Sequence, residues 1–200
     1  GPLHAEAAWP TKPIRIIVPY NAGGATDIVA RMVAERLSNR LGQPVLVENR
    51  GGASGIMGTD AAAKAAPDGY TLTVSLSSSL MQNQFLYHHL PYQTLRDFVL
   101  ISQIAIAPVT LVAHPSVPAK DGPALLAYVR ANPGKVAYGS WGVGSYGHLG
   151  LAYLDASQHG DMTHVAYKGE SAMLQDLIGG RIQLAFASAL GTKPYIDLSL

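Results

Sequence analysis

Pro13-Ile14-Arg15-Ile16-Ile17-Val18-Pro19-Tyr20-Asn21-Ala22-Gly23-Gly24-Ala25-Thr26-Asp27 is the stretch that decides the fold. Its first half, Ile14 to Pro19, is a nearly continuous apolar run broken only by Arg15. Such a run suits a parallel strand covered on both faces. A polar, glycine-rich loop follows. Beyond it Val29, Met32, Val33, Leu37 and Leu41 recur at helical spacing, and Gly42 with Pro44 ends the helix. Strand, tight loop and helix in that order form one unit of a layered α/β fold.

Working outward, the pattern repeats. Val45 to Val47 reads as a second strand, and the glycine-rich loop Gly51 to Gly55 leads to an alanine-rich helix near Thr59 to Ala66. Pro67-Asp68-Gly69 is a turn signal, and Tyr70 to Leu76 is a third strand. After Pro91-Tyr92 the texture changes. Phe98 to His114 is β-rich but too long for one strand, with Pro108 inside it. It reads as two strands, or as one segment passing between two lobes. A helix over Pro123 to Ala131, a strand over Val136 to Ser140 and a helix over His148 to Gln158 come next. A strand over Thr163 to Tyr167, a helix over Ser171 to Ile178 and an alternating strand at Ile182, Leu184 and Phe186 complete the series. The expected division is a first α/β lobe over 9–101 and a second over 102–200, preceded by residues 1–8.

Those leading residues read as non-native or processed. Gly1-Pro2 has the form of a scar left by a tag protease. Ala5-Glu6-Ala7 has the small-x-small form of a signal-peptidase site, with Ala8-Trp9-Pro10 as the mature start. The plain alternative is a few vector residues joined to any mature protein.

Composition narrows the function. With 200 residues, 48% of them apolar, the chain can build a real core. The net charge is +1 and the basic residues are dispersed, which argues against a nucleic-acid-binding face. No apolar stretch is long enough to read as a membrane span. The absence of cysteine removes disulfides, thiolate metal sites and a cysteine nucleophile. The histidines show no ligand spacing, neither Ser54 nor Ser145 sits in G-x-S-x-G, and no close carboxylate pair suggests glycoside hydrolysis.

Chemistry is left to the loops. In Tyr20, Asn21, Ala22, Gly23 and Gly24 the glycines let a ligand approach the start of a helix. The first helical turn has free N–H groups and a partial positive charge, so an anion is favoured there. Thr26 or Asp27 caps the helix, with Asp27 turned toward backbone N–H groups or solvent. A tight βα turn that binds nothing is the plain alternative for this loop alone. Gly51-Gly52-Ala53-Ser54-Gly55 and Ser77-Ser78-Ser79 follow the next two strands and fall on the same carboxyl edge, where open α/β sheets bind ligands. Ser54, Ser77 and Ser78 are the hydroxyl candidates there. The second lobe offers Ser140, Gly144 and Ser145 after one strand, Tyr167, Lys168 and Gly169 after the next, and Ser188 after the last. Lys168 supplies a positive charge to the site or is an ordinary solvated lysine.

Gly142-x-Gly144-x-x-Gly147 is a formal dinucleotide fingerprint between a strand and a helix. It supports a rival reading, a nucleotide-dependent enzyme. The acidic residue that should close the next strand is represented only by Glu170, which reads as a helix start. No cofactor or metal is expected on the leading reading.

The landmarks Pro13 to Tyr20, Ala22-Gly23-Gly24, Asp27, Arg31, Leu41 to Val45, Glu48-Asn49-Arg50, Gly52 to Gly55 and Pro67 to Leu72 resemble the substrate-binding proteins of tripartite tricarboxylate transporters, the Bug family. Asp97-Phe98, Tyr138 to Ser140, Gly142, Gly144-Ser145, His148-Leu149, His164 to Gly169 and Gly179-Gly180 extend the match in order. The resemblance implies a periplasmic-binding-protein-like fold with two lobes, each a mostly parallel sheet flanked by helices, closing on a ligand. It implies an exported, periplasmic protein that captures a dicarboxylate or related organic acid and hands it to the transporter's membrane components. It also implies that Tyr20 to Gly24 holds one carboxylate, while Ser140 to Ser145 and Tyr167 to Gly169 close on the other end. Members of that family are longer, and their chain returns to complete the first sheet. A chain ending at Leu200 would leave the first lobe incomplete, which predicts a homodimer or strand exchange through bare edges, or a remnant that associates and binds nothing.

Overall fold

The computed structural model describes residues 9–196. The tag-scar and signal-peptide reading of residues 1–8 therefore lies outside the described residues, as do residues 197–200.

The first lobe is built on strand β1 (Ile14–Val18), in which Ile14, Ile16, Ile17 and Val18 are all buried. Helix α1 (Ala25–Leu41) follows and packs through the small residues Ala30 and Ala34. Gly42 ends it in the left-handed region, its N–H reaching the Ser38 carbonyl. Strand β2 (Val45–Asn49) runs parallel to β1 with Ile14 opposite Val45. A 3-10 turn (Ala53–Gly55) and α2 (Ile56–Ala63) lead to β3 (Thr71–Thr73), parallel to the other edge of β1. The sheet order is β2-β1-β3.

Two sequence expectations need correction here. The third strand is Thr71–Thr73, not Tyr70 to Leu76, because its ladder with β1 covers only Arg15 to Ile17 before the chain turns away. The alanine-rich helix begins at Ile56 and ends at Ala63, earlier at both ends than expected. A π-helical turn (Ser78–Gln82) and the short helices α3 (Asn83–Leu86) and α4 (Thr94–Asp97) were not signalled by periodicity at all.

The β-rich stretch Phe98 to His114 contains a single strand, β4 (Val109–Ala113). Residues 98–108 carry no regular structure and form the connection from one sheet to the other, which fits the second of the two readings. The second lobe continues with α5 (Gly122–Ala131), whose first turn is capped by the Asp121 carboxylate on Ala124 N–H at 2.8 Å. Then come β5 (Ala137–Ser140), α6 (Tyr146–Gln158), β6 (Thr163–Ala166), α7 (Glu170–Ile178), β7 (Leu184–Ser188) and α8 (Ala189–Ile196). The sheet order is β4-β7-β5-β6, parallel except for β4, which runs antiparallel to β7.

Each lobe has its own core. Ile16, Val18, Ala30 and Ala34 anchor the first. The second sheet is covered on both faces, as alternation along β7 requires: Leu184 joins Leu125, Val129 and Leu151, whereas Ala185 and Ala187 join Met173, Leu174 and Leu177. Among the described residues no helix is long and apolar enough to cross a membrane.

Candidate ligand-binding site

Strand β1 delivers Tyr20 to Gly24 to the start of α1. Tyr20 is buried, with its hydroxyl 3.1 Å from Ser78 Oγ and 3.3 Å from Ser79 Oγ. Burial raises the phenol pKa, so Tyr20 stays a neutral hydroxyl that positions the serines after β3. Gly23 adopts a φ of +87°, which a side-chain residue resists, and its N–H donates to Asp27 Oδ2 at 2.9 Å. The buried Asp27 also accepts from Arg31 Nε at 3.0 Å and from Asn49 Nδ2 at 2.9 Å. Burial is the largest influence on this carboxyl and opposes its ionisation. The bonds from Arg31, Gly23 and Asn49 together outweigh it and hold the pKa below the ordinary value. Asp27 is thus a paired anion that ties the loop, not a free charge.

The second lobe meets this loop directly. Asn21 N–H donates to the Lys168 carbonyl at 3.0 Å, and Ser171 Oγ donates to the Ala22 carbonyl at 2.7 Å. Glu170, the first residue of α7, accepts from the N–H and the hydroxyl of Ser188 at the end of β7. The same carboxylate crosses to the first lobe and accepts Ala25 N–H at 3.0 Å. Glycine is required where the loops touch. A Cβ on Gly51 would stand 2.9 Å from the Lys168 carbonyl oxygen, and one on Gly169 would stand 2.9 Å from Asn21 N.

Between the two sheets lies a cavity of about 490 Å³. That is the size of an ordinary small-molecule site, about 300–1,000 Å³. The first lobe lines it with Tyr20, Asn21, Gly24, Ala25, Thr26, Asp27, Leu76, Ser77, Ser78 and Gln82. The second lobe adds Ala107, Pro108, Val109, Trp141, Tyr146, Glu170 and Ser188. The start of α1 opens into it, and Thr26 N–H, second in the helix, has no intrahelical partner.

Of the residues singled out from sequence, Tyr20, Asn21, Gly24, Asp27, Ser77, Ser78 and Ser188 line this cavity. The others stand behind or beside it. Ala22 and Gly23 are committed to the contacts above. Ser54, at a φ of +57°, receives a hydrogen bond from the Tyr87 hydroxyl. Ser140 Oγ lies 2.8 Å from His164 Nε2. Ser145 caps α6 by accepting His148 N–H, and Gly144 N–H donates to His148 Nδ1 at 3.0 Å. The Tyr167 hydroxyl turns away to donate to Asp176 at 2.8 Å. Lys168 brings only its carbonyl to the lobe contact, and its side chain is exposed, so the positive charge offered to the site is not placed in the cavity wall. Gly169 provides the close approach to Asn21.

The cavity residues not anticipated have identifiable origins. Gln82 sits on the π-helical turn, which has no periodic signature. Ala107, Pro108 and Val109 reach the site because β4 is antiparallel, so its beginning lies beside Ser188 at the end of β7. Trp141 and Tyr146 flank the glycines after β5 and were within reach of a reading that looked past glycine and serine.

The Gly142 to Gly147 loop has a structural use. Gly142 N–H donates to Ser140 Oγ at 3.2 Å, and Gly144 N–H is taken by His148. A Cβ at Gly142 would fall 2.8 Å from Ser54 Cα, and one at Gly147 would fall 2.8 Å from the Trp141 ring. These glycines let the second lobe pack on the first and on its own tryptophan, and two of the donors a pyrophosphate would need are already spent.

Comparison with known proteins agrees with this geometry. The profile described as tripartite tricarboxylate transporter family receptor matches residues 29–199. The BugT protein of Bordetella pertussis is 41% identical over 181 residues, 90% of this chain and 55% of its own. A solved structure described as a periplasmic transporter is 40% identical with a TM-score of 0.91, covering 96% of this chain and 64% of its own. Rpa4515 of R. palustris, solved with adipate, is 34% identical with a TM-score of 0.90 over the same shares. The chain thus spans little more than half the length of the curated relative and under two thirds of these structures.

Proposed function

The chain belongs to the tripartite tricarboxylate transporter receptor family, and on that basis we propose that it is a periplasmic solute-binding protein. It captures a small organic carboxylate between its lobes and presents it to the membrane components of such a transporter. The carrying observation is the cavity of about 490 Å³ at the carboxyl ends of both sheets, with the start of α1 opening into it. Adipate in the related Rpa4515 supports the ligand class.

Binding is passive. A carboxylate enters beside Thr26 N–H and the hydroxyls of Ser77 and Ser78. The loop contacts Asn21–Lys168 and Ala22–Ser171 hold the lobes together over it. Each hydrogen bond to a charged group contributes roughly 1.5–3 kcal/mol. Two or three of them reach micromolar affinity, about 8 kcal/mol, once ordering costs are subtracted. The nucleotide-enzyme reading is not favoured, since the glycines it needs are engaged in packing.

Thermal denaturation in the presence of small carboxylates tests the proposal. A ligand at a hundred times its Kd adds about 2.7 kcal/mol, a rise of about 5–10 °C in Tm. No rise with any carboxylate would refute it. We also propose that two copies associate. The outer strands of the first sheet are β2 and β3, and Phe85, Val99 and Ile106 are each more than four-fifths exposed.

A further inference from the structure

The charge in the cavity wall is unusual for a site that takes an anion. Its lining contains two carboxylates, Asp27 and Glu170, and no lysine, arginine or histidine. Asp27 is neutralised by Arg31, with which it forms an ion pair at 3.0 Å. Glu170 is not: among the described residues no cationic side chain pairs with it. Its three hydrogen bonds come from Ala25 N–H, Ser188 N–H and Ser188 Oγ, all uncharged donors.

Glu170 also occupies a particular place. Ala25 N–H is the first donor of α1, the group an incoming carboxylate would use, and the protein's own carboxylate already holds it. A ligand with two carboxylates would bring a second anion toward an unpaired one in a partly closed, low-dielectric space.

Two further atoms in the wall are left unpaired. Gln82 Oε1 and Trp141 Nε1 are buried and have no hydrogen-bond partner. One is an acceptor and the other a donor. Buried polar atoms are normally satisfied, so an unpaired pair lining one cavity marks where a bound molecule supplies both kinds of partner. Trp141 Nε1–H suits a carboxylate oxygen. Gln82 Oε1 and Glu170 suit a group that donates and carries positive charge, and the rings of Trp141 and Tyr146 in the same wall favour a cation as well.

We propose that Glu170 makes this site selective for a small amino-carboxylate: its unpaired carboxylate receives the ligand's ammonium group, while Trp141 Nε1–H and the first turn of α1 receive the ligand's carboxylate. This rests on the carboxylate-binding reading above and narrows it from organic acids in general to zwitterions.

Calorimetric titration of the chain with matched pairs tests it: glutarate against 4-aminobutyrate, and adipate against 5-aminopentanoate. Each pair differs only in carrying an ammonium group in place of one carboxylate. The wild-type chain is expected to bind the amino member at least about tenfold more tightly. Glu170→Gln keeps an acceptor for Ala25 N–H but removes the charge, and it is expected to erase or reverse that preference. Tighter binding of the dicarboxylates by the wild-type chain overturns the zwitterion assignment while leaving the carboxylate reading intact. An unchanged ratio in Glu170→Gln overturns the role of Glu170. Absence of binding by all four probes and by every carboxylate in the thermal screen overturns both. The wild-type comparison needs no variant, so a misfolded Glu170→Gln protein would not rescue the proposal.

Discussion

His164 stacks on Tyr138 with ring centroids 5.0 Å apart and on His148 at 4.1 Å. Burial, followed by the charge of His148, lowers its pKa to about 4, and burial also lowers that of His148. Both rings are therefore neutral at pH 7. His148 Nδ1 must stay unprotonated to accept Gly144 N–H. The sign follows from linkage. The unfolded chain takes up these protons near pH 6.5 and the folded chain only near pH 4 for His164, so their contribution is complete above pH 6.5 and is lost as the pH falls toward 4. Allowing for solvent screening around a partly exposed pair, the loss is on the order of 1–2 kcal/mol. Denaturant unfolding at pH 7.5 and pH 5 should show it, and His164→Gln should flatten the slope. Equal stability at the two pH values, or an unchanged slope in the variant, would count against a buried neutral pair.

At the scale of elements, what the sequence disclosed follows from the kind of signal each element leaves. The Ile14–Val18 strand was legible because burial on both faces demands an unbroken apolar run, and the structure buries Ile14, Ile16, Ile17 and Val18. Helices α1, α5 and α7 were legible from apolar spacing and their stops at Gly42, Asn132 and Gly179. The π-helical turn Ser78–Gln82 was not, since its polar residues have no period to read, and with it Gln82 was missed. The direction of β4 was not either. Val109–Ala113 looks the same read parallel or antiparallel, and only its pairing with Ser188 to Leu184 brings Pro108 to the cavity. The candidate site was half visible for a related reason. Glycine and serine at strand ends announce loop geometry, whereas Glu170 and Trp141 act through contacts made across the lobes or by an unpaired atom.

At the scale of the whole molecule, two sheets meet across a cavity through a few backbone contacts. Asn21–Lys168 and Ala22–Ser171 join the loops on one side, and the Tyr87 hydroxyl reaches the Val143 carbonyl at 3.3 Å on the other. The first lobe also presents exposed apolar side chains, with Leu95 at 81% and Val99 at 91% exposure. Burying such a surface against a second copy removes apolar area from water, at about 25 cal/mol per Å². Light scattering across a concentration series should therefore report a mass rising toward the dimer, and a constant monomer mass would refute self-association. The central claim is narrower: the space between the lobes is where the ligand sits. Its most direct test is a crystal structure grown with whichever carboxylate raises Tm most. The account predicts electron density for that molecule in the cavity, with a carboxylate oxygen within hydrogen-bonding distance of Trp141 Nε1 or of the first turn of α1. Density only outside the cavity, or an empty cavity at a ligand concentration that raises Tm, would contradict it.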